Sequence, residues 1–164
     1  MKTEQDYRDQ GAVGALLDEY EKAVKELQEL ISSVSDEDLI KIVDTSTKDK
    51  DCVSIQSILD HVVRAGYNYV IEIRNWKGEG LDFKTNDTQI SASEYIRQLS
   101  DMFDYNEALF IDYPDIALEG HSLEEKMKVR WGQSYDVEQI FEHAIVHILR
   151  HRRQIERFIL RLNN

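Results

Sequence analysis

Apolar residues recur every three or four positions in four stretches of the chain, and each stretch predicts a helix with one buried face. In the first, residues 12–34, Val13, Leu16, Leu17, Tyr20, Val24, Leu27, Ile31 and Val34 share a stripe, and Glu21, Lys22, Lys25, Glu26 and Glu29 fill the other face. The second opens near Ser54, a good N-cap, and carries Ile55, Ile58, Val62, Ala65, Tyr69, Ile73 and Trp76 before Gly78 and Gly80 end it. The third begins at Ser91. Ser91-Ala92-Ser93-Glu94 fits a capping box, in which hydroxyl and carboxylate each satisfy a free backbone N–H. Tyr95, Ile96, Leu99, Met102, Phe103 and Phe110 form its stripe, and Pro114 stops it. The fourth starts between Ser134 and Asp136, with Asp136-Val137-Glu138-Gln139 as a second capping box, and runs to Leu162.

The segments between these helices are polar. Ser35-Asp36-Glu37-Asp38 opens a short turn before Leu39, and residues 44–51 contain no apolar side chain. Residues 81–90 read as a loop with Phe83 turned inward. Residues 115–133 read as a long crossover loop, although a loose alternation over residues 126–131 fits a short strand as the alternative. Only one proline and seven glycines punctuate the chain, too few for a turn-rich β fold. The expectation is an all-α four-helix bundle spanning residues 1–164 as a single domain, with a long crossover before the last helix. The pattern leaves the helix order open.

Charge narrows the function. Twenty Lys and Arg against 32 Asp and Glu give 20 − 32 = −12. That sign disfavours phosphate backbones and acidic membrane surfaces, so no nucleic acid and no membrane partner is expected. The single cysteine, Cys52, can form no internal disulfide and no thiolate metal site, which fits a reducing, cytoplasmic compartment. No apolar run reaches membrane-spanning length, and the polar residues 1–6 do not resemble a secretory signal.

The fourth helix carries the chemistry. His143, His147 and His151 lie four residues apart, so neighbouring members of the series stack along one face. His143 and His151 are about 12 Å apart along the axis, too far to share an ion. The stripe of Ile140, Ala144, Ile148, Ile155, Phe158 and Leu162 selects the pair: His147 and His151 look into the bundle, and His143 lies nearer its boundary. Two imidazoles facing an apolar interior need partners. His61, on the edge of the second helix's stripe, is the best third ligand. Three imidazoles from two helices would hold a divalent ion and leave coordination positions open.

The run His147-Ile148-Leu149-Arg150-His151-Arg152-Arg153-Gln154-Ile155 resembles the signature of the DinB superfamily, in which the last helix carries a histidine, three residues, then His-Arg-Gly-Gln. Ser54-Ile55-Gln56-Ser57-Ile58-Leu59-Asp60-His61-Val62 is similar to that family's first ligand segment. The resemblance extends over nearly the whole chain: its length, its four helices, the long connection before the last one and all three ligand positions. It implies an up-down-down-up bundle and a metal site of His61, His147 and His151 holding zinc or nickel. It also implies kinship with bacterial stress and detoxification proteins, often homodimers. Relatives include transferases of low-molecular-weight thiols such as bacillithiol, and a mycothiol-dependent maleylpyruvate isomerase. The chain departs from the pattern at Arg153, where the family has glycine, and at Arg150, where many relatives have histidine. Neither change removes a ligand, and both leave the substrate class open.

Other residues are weighed against plainer roles. Trp131, Tyr135 and His121 read as packing or exposed residues, with lining of a pocket mouth as the alternative. Asp60 reads as pointing away from His61 rather than orienting it, and Gln154, near the inward face one turn from His151, as a structural hydrogen bonder. Arg150, Arg152, Arg153 and Arg157 read as partners of Glu138, Glu142 and Glu156, with a substrate carboxylate as the alternative. No Glu-x-x-His, His-Glu-x-x-His, phosphate-binding glycine loop or Gly-x-Ser-x-Gly elbow occurs. Two functions stay open: a metal-dependent thiol transferase or hydrolase acting on a small molecule, and a non-catalytic helical module that dimerises or binds a small molecule.

Overall fold

The computed structural model describes residues 7–163, so the polar stretch of residues 1–6 lies outside the described residues. The protein is mostly helical. Four long helices, α1 (Gly11–Ile31), α3 (Ile55–Trp76), α4 (Ala92–Asp112) and α5 (Val137–Leu162), are joined by a single-turn helix α2 (Asp36–Ile40) and a two-stranded hairpin, β1 (Met127–Lys128) and β2 (Ser134–Tyr135). No described helix is long and apolar enough to cross a membrane.

Local signals and structure agree closely, with instructive differences. Asp136 and Gln139 form the expected reciprocal cap of α5. The Ser91 hydroxyl accepts the Glu94 N–H, but the Glu94 carboxylate takes the hydroxyl proton of Ser91 and not its backbone N–H, so that box is half made. The turn after Ser35 closes as α2, which sinks Leu39 completely. The region read as a crossover loop does contain the short strand held as its alternative. Met127 and Val129 are buried and Lys128 is exposed, the period-two signature of a strand. Ser134 and Tyr135 pair with Lys128 and Met127, which delays the start of α5 to Val137.

The long helices enclose one apolar core that includes Tyr20, Leu27, Ile58, Leu99, Phe141 and Ile155. Pairwise contacts give their directions. Gln28, near the end of α1, donates to the Ile96 carbonyl at 2.8 Å, near the start of α4, while Arg8 just before α1 reaches Glu107. Those two helices are therefore antiparallel. Along α3 and α4, Tyr95 meets Asp60, Asn106 meets the Gly66 carbonyl and Asp112 meets Arg74, so these two run parallel. Against α5, His61 meets His151 and Tyr69 meets His143, an antiparallel pairing. Tyr20 against Phe141 and Glu26 against Arg152 make α1 and α5 parallel. The sequence pattern left this order open; of the four neighbouring pairs, two are antiparallel and two are parallel.

Parallel α3 and α4 need a connection that travels back along α3. A polar stripe on α3 holds it. Asn75 exchanges two hydrogen bonds with Leu81, Asn68 exchanges two with Lys84, Arg64 donates to Asn86, Asp60 accepts from Thr88, and Gln56 donates to the Gln89 carbonyl. Backbone groups of Leu81, Lys84 and Gln89 are thereby partnered by α3 side chains. Gly66 sits tightly against α4, since a Cβ there would lie 1.9 Å from Sδ of the fully buried Met102. Overpacking costs about 1–3 kcal/mol, and the better helix propensity of alanine returns about 1 kcal/mol. Gly66→Ala is therefore expected to lower stability by about 1 kcal/mol net, read as a lower urea midpoint with an unchanged slope.

Candidate metal centre

The centre lies where α3 faces α5. His147 and His151 project from successive turns of α5 and are 5% and 3% exposed. His61 meets them from α3 and is partly buried. The three rings are mutually packed, with centroids 4.5–5.0 Å apart. One nitrogen from each lies within 4.8 Å of the other two. All three histidines singled out in the sequence are brought together. His143 is not part of the cluster: its ring stacks on Trp131 at 6.0 Å and packs on Tyr69 and Tyr135.

The outer nitrogens are held and the inner ones face each other. Nδ1 of His61 lies 3.2 Å from Oδ2 of Asp51 and 3.1 Å from Nη2 of Arg64, which itself donates to Asp51 at 2.6 Å. Arginine has only donors, so a proton on His61 Nδ1 has Asp51 as its acceptor. Nδ1 of His151 lies 3.1 Å from the Gln154 Oε1. A carboxylate or amide oxygen behind the ring, with the lone pair of Nε2 turned inward, is the usual support of a metal-bound histidine. Nε2 of His61 and Nε2 of His147 are 2.8 Å apart, and Nε2 of His151 is buried with no hydrogen-bond partner among the described residues.

These residues fit a divalent ion. Around a tetrahedral ion with Zn–N distances of about 2.0–2.1 Å, neighbouring nitrogens sit about 3.3 Å apart. The observed span, 2.8 Å between one pair and 4.8 Å at most, brackets that value. An unpartnered buried polar atom costs about 1–3 kcal/mol, and coordination would satisfy it. Burial pushes the imidazole pKa of His147 down to about 2 and of His151 down to about 4, helped by the neighbouring histidines. Burial also lowers that of His61, with Asp51 opposing. All three rings are neutral at pH 7, the form that binds metal.

Asp51 is the residue that sequence reasoning missed. It sits in the 3-10 turn Lys50–Cys52, directly before α3, in a polar loop with no periodic pattern to single it out. Asp60 points away from His61, as read, and accepts from Tyr95 and Thr88. Gln154, read as a structural hydrogen bonder, has its Oε1 against His151 Nδ1. Cys52 touches Gln154 and Asp49, and burial pushes its thiol above the ordinary value, so it stays protonated at neutral pH and is no ready nucleophile.

A cleft of about 320 Å³ opens onto His61 and His147 between α3, α5 and the hairpin. Trp131 lines it, and His121 does not; Tyr135 packs beside Trp131. Gly132, at φ +91°, closes the hairpin tip that presents Arg130 and Trp131. Of the arginines on α5, Arg152 pairs with Glu26 and Glu156. Arg150, Arg153 and Arg157 make no ion pair among the described residues, so pairing with Glu138 and Glu142 is not what the structure shows.

In comparisons with known proteins, no family model matches the chain and no curated protein matches it. The fold and this histidine cluster therefore define the class of protein: a helical bundle with a candidate three-histidine metal centre.

Two outcomes test the centre. Asp51→Asn removes the acceptor behind His61 and is expected to weaken zinc affinity about 10–100-fold, measured by chelator competition. In metal-free protein the histidine pKa values are lower folded than unfolded. The unfolded chain then binds more protons as pH falls below the ordinary value of about 6.5, and stability falls with it. Thermal midpoints of metal-free protein are expected to drop between pH 7.5 and pH 5, and to drop less in His151→Gln.

Proposed function

We propose that this protein is a metal-dependent enzyme of the DinB type, using His61, His147 and His151 to hold a divalent ion, zinc or nickel, and acting on a small molecule by thiol transfer or hydrolysis. The observation that carries the reading is the convergence of three neutral imidazoles from two helices, with His151 Nε2 buried and unpartnered among the described residues. The helix directions support the family resemblance: α1 and α5 run one way and α3 and α4 the other, the up-down-down-up order that the resemblance implies.

The chain's own residues supply positioning. Asp51 and Gln154 fix the two outer rings, so the ligand nitrogens are oriented before any ion arrives. Tyr69 packs edge-on against His147 and walls the cleft on the α3 side. A divalent ion held there supplies Lewis acidity to a thiol, water or carbonyl group. The cleft gives a small substrate access to the centre, because His61 and His147 line it directly.

A second reading is favoured by one contact. The 2.8 Å approach of His61 Nε2 to His147 Nε2 is a hydrogen bond that needs no metal, as expected of a non-catalytic helical module with histidines as core hydrogen bonders. That reading leaves His151 Nε2 without a partner. Elemental analysis of tag-free protein separates the two: about one equivalent of zinc or nickel is expected, lost in His147→Ala while helical circular dichroism persists. Metal-free protein even after reconstitution, or full metal content in the variant, would overturn the assignment.

A further inference from the structure

The cleft above the histidines differs in charge from three other clefts among the described residues. The chain carries a net charge of −12, and three other clefts are lined by two or more carboxylates each, among them Asp60, Asp87 and Asp101 in one and Glu119, Glu125 and Asp136 in another. The cleft over His61 and His147 is lined by Arg64, Arg130 and Arg150 and by no carboxylate.

The three arginines are not equivalent. Arg64 spends both terminal nitrogens on Asp51 and Asn86. Arg130 is fixed from behind: its Nε donates to Glu72 at 3.0 Å and its guanidinium carbon lies 3.3 Å from the centroid of the Phe83 ring. None of its bonds among the described residues uses a terminal nitrogen, so that edge of the fork is free and held in place. Arg150 is exposed and makes no ion pair or hydrogen bond among the described residues, although it stands on the same turns of α5 as His147 and His151. Beside them Trp131 is 41% exposed at the cleft, in a T-shaped contact with Tyr69. A planar fork with free donors matches the two oxygens of a carboxylate, and the exposed indole offers an apolar wall for the group that carries it.

We propose that this cleft recognises a small organic carboxylate, with Arg150 and the free edge of Arg130 taking the carboxylate and Trp131 packing on the apolar body. The inference deepens the metal-enzyme reading and rests on it for placing the bound acid beside the centre. It names the substrate class as an organic acid with a short apolar part, sized to about 320 Å³.

Benzoate is the probe, with benzamide as its neutral twin and inorganic phosphate as an anion without an apolar body. Each is titrated calorimetrically into chelator-treated protein at low salt. Benzoate is expected to bind at least about tenfold more tightly than benzamide, as charge-assisted hydrogen bonds require, and more tightly than phosphate. Arg150→Gln is expected to lose about tenfold in benzoate affinity, and Arg157→Gln, the same charge change on an exposed arginine outside the cleft, to lose none. Equal binding of benzoate and benzamide, phosphate binding as tight as benzoate, or equal losses in the two arginine variants would each overturn the proposal. Cobalt binding, followed by its visible absorption in the same variants, separates this from the metal reading. Cobalt bound without benzoate selectivity sinks the carboxylate site alone. Benzoate selectivity without cobalt binding sinks the metal reading alone.

Discussion

The antiparallel register of α3 on α5 is the constraint on which the site depends. It sets His61 level with the turns that carry His147 and His151, and it sets Tyr69 level with His143. A shift of one helical turn, about 5.4 Å, would take His61 out of reach of one of its two partners. The apolar residues that surround the seam, among them Ile58, Val62, Ala144, Ile148 and Ile155, lock that register by burial. The same burial shields His147 and His151 from water, keeps them neutral, and leaves one nitrogen with no hydrogen-bond partner among the described residues. Packing and chemistry are thus one feature: the hydrophobic contact that holds the helices together prepares the ligand set.

That register needs α3 to be free on the face towards α5 while its other sides are occupied. The loop from α3 to α4 covers one of them. Gln56, Asp60, Arg64, Asn68 and Asn75 form a polar stripe down α3 and bind the returning chain at Gln89, Thr88, Asn86, Lys84 and Leu81. The stripe reads in isolation as the solvent face of an amphipathic helix. In the fold, Asp60 and Asn68 are 8% and 7% exposed. One member, Arg64, also pairs with Asp51 behind His61, so the loop, the turn before α3 and the centre form one connected network. Such networks are worth more intact than the sum of their pairs.

Much of this was legible in the chain before folding. Local periodicity and capping chemistry specify helices because each turn is judged against its own neighbours, and the four stripes, the Asp136 cap and the inward turn of His147 and His151 are all of that kind. The choice of His61 as third partner rested on its place at the edge of a stripe and on the resemblance of its segment to a ligand segment, and the structure brings it to the other two.

What tertiary structure decided was everything that pairs residues far apart in the chain. Asp51 has no pattern to betray it, because its role comes from a turn that places it against a ring ten residues later. Parallel α3 and α4 come from a loop whose hold on α3 is polar, and polar residues carry no burial period. The arginine-lined cleft joins Arg130 on the hairpin to Arg150 on α5, two positions that no helical or strand spacing relates. Local sequence determines what each element is, because backbone hydrogen bonding and side-chain periodicity act within a few residues. Which elements face each other is set by the burial of whole faces, and the site lies where those faces meet.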